Sequence, residues 1–130
     1  MRSGLFFLFD DTTPLPSSGT AAPVFVTDAR AAWGATGPGV RRKVLAHGPG
    51  LMLARVAFEA GGVGARHQHP HAQLSYVESG AFECSIEADT HTLLPGDSCY
   101  VPPLARHGVS CTEAGVLVDA FTPRRDDFLN

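Results

Sequence analysis

The chain has little that would place it in a membrane, across one, or on a nucleic acid. The run Leu5-Phe6-Phe7-Leu8-Phe9 ends at Asp10 and Asp11. A signal-peptide core needs roughly 7–15 apolar residues and a membrane span about 20, so neither is expected and a short N-terminal strand is the better reading. Basic residues are few: nine arginines and one lysine, against a net charge of −3, which argues against nucleic acid or a membrane surface as the main partner. Three cysteines, Cys84, Cys99 and Cys111, form no C-x-x-C and cannot all be paired. They read as small buried fillers in a reducing compartment, and the protein as cytoplasmic. No segment of helical length shows a 3.6-residue period, which excludes an all-α or α/β architecture.

What is present is turn chemistry and short strands. At 130 residues there is room for one domain. Residues 1–40 read as the N-terminal strand followed by a Pro/Gly-rich arm, with a short ordered segment around 24–33, and residues 41–130 as a β-barrel domain. Strands are expected at 41–47, 51–59, 73–78, 81–87, 90–94, 98–101, 106–110 and 115–122. Breaks fall at Gly48-Pro49-Gly50, at 61–64, at Glu78-Ser79-Gly80, at Pro95-Gly96-Asp97 and at Pro102-Pro103. Such spacing predicts an all-β sandwich or barrel, the jelly roll among them.

Alternation says which side chains share a face. In the last strand Leu117, Asp119 and Phe121 lie together, opposite Val116, Val118 and Ala120. An acid between a leucine and an aromatic does not suit a solvent face, so Asp119 is expected to point into a lined cavity. In the strand at 51–59, Met52, Ala54, Val56 and Phe58 form an apolar face. Arg55 falls opposite, facing solvent, with a place in the cavity as the alternative. For Tyr76 and Trp33 parity leaves pocket and core both open.

Between Gly61 and His107 the chain reads G-x5-H-x-H-x3-Q-x6-G, then, after 15 residues, G-x5-P-x4-H. Two histidines at i and i+2 of an extended strand leave the same face, so His67 and His69 aim at one point. Gln73 follows closely and His107 comes from well downstream. Imidazole suits zinc, copper, iron and nickel, while manganese prefers oxygen-richer shells. His71 shares their parity but follows Pro70. It is read as an outer group supporting the site, with a fourth ligand as the alternative. His47 and His91 have no partners in the pattern and read as structural or exposed.

These two motifs resemble those of the cupin family, G-x5-H-x-H-x3,4-E-x6-G and G-x5-P-x-G-x2-H-x3-N. Here Gln73 stands for the glutamate, Leu104 for the glycine of the second motif and Cys111 for its asparagine. The resemblance implies a single-domain jelly-roll barrel (a double-stranded β-helix) with one metal inside its mouth. Three stretches are closer to the pectin-degradation cupins of the KdgF type: Leu51-Met52-Leu53-Ala54-Arg55-Val56, His67-Gln68-His69-Pro70-His71-Ala72-Gln73, and the run from Val118 through Asp119, Phe121 and Arg125 to Leu129. That family converts 4,5-unsaturated uronate monomers, released by pectin or alginate lyases, to linear keto-uronates. The resemblance implies a divalent transition metal (Ni, Zn, Mn or Fe) on His67, His69, Gln73 and His107, and an active site of Asp119, Phe121 and Arg125.

A neutral Gln73 beside neutral imidazoles leaves a divalent ion its full charge, which favours Lewis-acid work on a sugar. In that scheme Asp119 moves protons, Arg125 clamps the substrate carboxylate and Phe121 packs on the ring. Core packing for Phe121 and a surface charge for Arg125 are the plain alternatives. The partner expected is a small anionic sugar, with a homodimer formed through edge strands and the N-terminal arm. Two other readings compete: a cupin dioxygenase acting on a small aromatic or flavonoid substrate, and a non-catalytic sugar-binding cupin.

Overall fold

Eight strands follow from the alternating segments: β1 (Gly34–Gly37), β2 (Val40–Gly48), β3 (Leu51–Phe58), β4 (Val63–His67), β5 (Ala72–Ile86), β6 (Asp89–Leu93), β7 (Ser98–Val101) and β8 (His107–Thr122). The computed structural model describes residues 22–129. The expected strand at 5–9 and much of the Pro-rich arm therefore lie outside the described residues. All pairings are antiparallel, in the order β1-β2-β3-β8-β5-β6, with β4 added to β8 and β7 to β5. One edge of β8 pairs with β4 near its start and with β3 near its end, while β5 runs along the other edge. The sheet must fold on itself to satisfy all these partners, and the result is the jelly-roll barrel expected.

The differences from the expected strands have local causes. Residues 73–78 and 81–87 were separated at Gly80 but form one strand, β5, with register shifts between Val77 and Phe82. Those bulges flip the parity: Ser75 and Val77 are buried before them, Phe82 and Cys84 after. Gly80 sits at φ 80°, and a Cβ there would come 2.5 Å from the Glu113 carbonyl oxygen, so only glycine lets β5 and β8 cross this closely. Residues 106–110 and 115–122 likewise merge into β8. Two strands were missed. β4 begins inside the glycine-rich break at 61–64, and β1 extends the sheet ahead of the domain boundary expected at residue 41.

The core is built from the inward face of these strands. Met52, Val77 and Phe82 are fully buried, and Phe58 meets Phe82 edge to face at 5.2 Å. Each such side chain contributes about 1.5–3 kcal/mol through burial. Cys84 and Cys111 are buried as expected, Cys99 is partly so, and all three are free thiols.

On the outer face, Lys43 and Arg55 are cross-strand neighbours that hold the N-terminal segment. Lys43 Nζ donates to the Asp28 carbonyl at 2.9 Å, and Arg55 bridges Asp28 and Glu78 at 2.9 and 2.5 Å. Trp33 lies beneath Lys43, 4.6 Å from ring centre to Nζ. Arg55 and Trp33 thus belong to this clamp, and Tyr76 to the outer face of β5, where it is half exposed beside Leu74. Among the described residues no helix is long and apolar enough to cross a membrane.

Leu104 marks one departure from the cupin motifs that has a measurable consequence. It occupies φ 68°, a left-handed conformation that glycine adopts without strain, while its N–H donates to the His69 carbonyl at 2.8 Å. Its side chain is exposed, so little packing opposes its removal. Leu104→Gly is expected to stabilise the fold by about 1 kcal/mol, the relief of left-handed strain outweighing the added chain entropy. Chemical denaturation would check this; a destabilised variant contradicts it.

Candidate metal centre and active-site cavity

Three histidines converge because the β4, β5 and β8 termini meet at one end of the barrel. His67 closes β4 and His107 opens β8, directly opposite each other in register, with ring centroids 4.3 Å apart. His69 lies in the connector to β5 rather than in a strand, its ring 5.3 Å from His67 and 4.7 Å from His107. Candidate ligand nitrogens of the three lie within 4.8 Å of one another. His69 and His107 are buried and His67 is exposed at the mouth.

The hydrogen bonds around the rings fit a metal. Each Nδ1 faces a backbone carbonyl, that of Ala65 at 2.8 Å for His67, His71 at 3.0 Å for His69 and Ala105 at 2.9 Å for His107. A neutral imidazole carries one N–H, which these carbonyls claim for Nδ1, leaving every Nε2 with its lone pair. Nε2 of His107 is buried with no partner. Nε2 of His69 faces Gln73 Oε1 at 3.0 Å, acceptor against acceptor. A second proton would relieve that contact, but burial holds the His69 and His107 imidazoles below their usual pKa. A shared cation satisfies the lone pairs without a proton. His71 stays outside this cluster, and its carbonyl orients His69.

From Gln73 a chain of hydrogen bonds runs to Asp119. In the β5–β8 ladder Gln73 pairs with Phe121 and Ser75 with Asp119, all on the interior face. Gln73 Nε2 donates to Ser75 Oγ at 2.9 Å, and Ser75 Oγ donates to Asp119 Oδ1 at 2.6 Å. Leu117, Asp119 and Phe121 are all buried, the face expected from parity. Burial raises the Asp119 carboxyl to about 6, opposed in part by the Ser75 hydroxyl and the Arg125 and Arg42 charges. Gln73→Glu is expected to raise that value further, because a second carboxylate would compete for the Ser75 hydroxyl proton. A pH titration of the Asp119 carboxyl would move upward with it; an unmoved titration contradicts the coupling.

These groups line a cavity of about 200 Å³ that also receives Arg42, Arg125 and Phe128. Phe121 is buried and lines the cavity. It packs with Met52 and Ala54, with its ring centre 6.1 Å from that of His69. Arg125 stands over Phe121 at 5.2 Å, but its fork is engaged: Nε and Nη2 donate to Asp127 at 3.0 and 2.9 Å. The bidentate face pictured for a substrate carboxylate is thus held by the chain itself. Sequence reasoning missed Ser75 and Arg42. Alternation on β5 (Gln73, Ser75, Val77) and β2 (Val40, Arg42, Val44) carries the signal that would have found them.

The chain belongs to the cupin family: the Cupin domain family matches residues 54–121. Within it, the chain is similar to the pectin degradation protein KdgF of Dickeya dadantii (strain 3937), 37% identical over 107 residues that cover 81% of this chain and 97% of that protein. The solved structure of KdgF from Halomonas sp. is 40% identical, with a TM-score of 0.77 over 80% of this chain and 98% of that one. An RmlC-like cupin from Shewanella frigidimarina NCIMB 400 superposes at a TM-score of 0.80 with 34% identity, over 83% and 97% of the two chains. Oxalate decarboxylase of Bacillus subtilis, 15% identical, shares the fold alone.

Proposed function

We propose that this cupin is a metal-dependent enzyme that opens 4,5-unsaturated uronate monomers from pectin or alginate breakdown to linear keto-uronates. The observation that carries the reading is the buried Asp119 carboxyl, raised to about 6 and joined through Ser75 to Gln73 beside three histidines. Similarity to the pectin degradation protein KdgF supports the substrate class.

His67, His69, Gln73 and His107 would hold the metal. When bound, a divalent ion supplies Lewis acidity toward an oxygen-rich ligand. The remaining work is proton movement. In a cyclic unsaturated uronate, loss of the anomeric hydroxyl proton and cleavage of the ring C1–O bond give an aldehyde and an enolate. Delivery of that proton to C4 converts the enolate to the ketone, with no net change of atoms. A carboxyl titrating near 6 suits both transfers at neutral pH, and Asp119 is assigned to them. Phe121 offers the sugar an apolar face, and the cavity, at the small end of ligand sites, suits a monomer over a polymer. Arg125, seated on Phe121 and Phe128 and paired with Asp127, frames the cavity wall.

The test is the decay of the conjugated double-bond absorbance of unsaturated galacturonate or mannuronate with metal-loaded protein. Acceleration over the spontaneous reaction, absent in the His107→Ala variant, is expected. No acceleration removes the uronate substrate and leaves the cupin fold standing. The same reading includes a cytoplasmic homodimer, supported by the exposed outer-face side chains Leu53, Leu74, Tyr76 and Tyr100. Sedimentation as a single chain would remove the dimer.

A further inference from the structure

Among the described residues, Arg42 is a cavity cation with no carboxylate in ion-pair contact. It sits on the interior face of β2, opposite Val56 of β3, and lines the cavity with Asp119 and Arg125. Among the described residues, the ion pairs engage Lys43, Arg55, Arg124 and Arg125, never Arg42. Its guanidinium instead lies 3.5 Å from the centre of the Phe128 ring, which Arg125 also approaches, at 4.2 Å. Stacking of this kind fixes the plane of a guanidinium and leaves its edge N–H donors free for a planar acceptor.

Charge accounting in the cavity points the same way. Arg125 is neutralised by Asp127, whose carboxyl its guanidinium holds below the usual range. Asp119 is buried and favours its neutral form more than an exposed acid would. Arg42, partly buried and repelled by Arg125, is held below its usual pKa, and the Asp127 and Asp119 charges oppose this only in part, so its burial carries a cost. An anion entering the cavity offsets that cost, and its geometry is set by the one open fork.

We propose that Arg42, rather than Arg125, binds the substrate carboxylate and selects anionic over neutral sugars. This rests on the uronate reading above. Arg125 then acts as a positioning residue, locked by Asp127 and bracing Phe121 and Phe128.

The test compares binding of galacturonate, which lacks the reactive double bond, with that of galactose, its neutral counterpart, to metal-loaded protein by calorimetry. The wild type is expected to favour the acid about 10- to 100-fold, the range of one charge-assisted hydrogen-bonded pair. Arg42→Met should bring the ratio close to one and raise KM for the unsaturated uronate by a similar factor, with a smaller change in kcat. Arg42→Lys, which keeps the charge without the fork, should recover part of the preference, and it stands in if the methionine variant does not fold. A methionine variant that keeps the wild-type ratio and KM overturns the assignment, while its wild-type turnover leaves the uronate activity intact. A wild type that does not distinguish the two sugars also overturns it. Whether the uronate activity survives that result is decided separately by the absorbance assay.

Discussion

His107→Ala is expected to lower metal affinity about a hundred- to a thousandfold and to remove turnover with the metal. The magnitude follows from dividing a binding free energy of about 10–16 kcal/mol, typical of tightly held zinc, among four ligands. His107 is the critical choice because its Nε2 is buried and has no protein partner, so its lone pair has no other use. Its neighbour across the ladder, His67, is exposed, so water can take its place on the metal, which makes substitution there the milder change. Metal content after dialysis against buffered free metal, with circular dichroism to confirm the fold, would measure this. A His107→Ala protein that retains stoichiometric metal and wild-type turnover would sink the centre as described.

Asp119→Asn should separate activity from stability. If the carboxylate moves the protons, turnover falls by about 10²- to 10⁴-fold. In the wild type kcat/KM should rise as pH passes through about 6, where Asp119 loses its proton, and the asparagine variant should lack that limb. Stability should shift the opposite way. The folded-state pKa lies above the unfolded value, so the folded protein holds this proton more tightly. The associated stability is fully present below about pH 4 and is lost as pH rises through about 6. A displacement of about two units corresponds to about 3 kcal/mol. Metal-free Asp119→Asn, which mimics the neutral acid at every pH, should therefore be more stable than metal-free wild type at pH 8, by up to about 3 kcal/mol, and indistinguishable from it near pH 4. Thermal melts at the two values would show it. A variant destabilised at pH 8 means the Ser75 hydrogen bond, not the charge, dominates at this position.

These two residues became legible in the sequence by different routes. Asp119 was visible through period-two alternation, since a strand places Leu117, Asp119 and Phe121 on one side whatever the rest of the chain does. His107 was visible through spacing, as the distant member of a pattern whose other members lie close together. Both signals are local or one-dimensional, and both survive into the structure. The strand readings failed where that logic reaches its limit. At Gly80 the alternation changes phase across bulges, so β5 looked like two strands. β4 was hidden because its first residues overlap the glycines that normally end a strand.

The sequence by itself determined the all-β class, the inward face of β8 and the identity of the residues that can carry metal chemistry, because each follows from side-chain type and short-range period. Only the tertiary structure decided which of them are already engaged. Asp127 holds the fork of Arg125, Ser75 donates a hydrogen bond to Asp119, and Arg42 enters the cavity with no ion-pair partner among the described residues. The physical reason is that a hydrogen bond or ion pair depends on distances of about 3 Å between groups that may be far apart along the chain. Ser75 and Asp119, 44 residues apart, meet because antiparallel pairing makes them neighbours in the ladder.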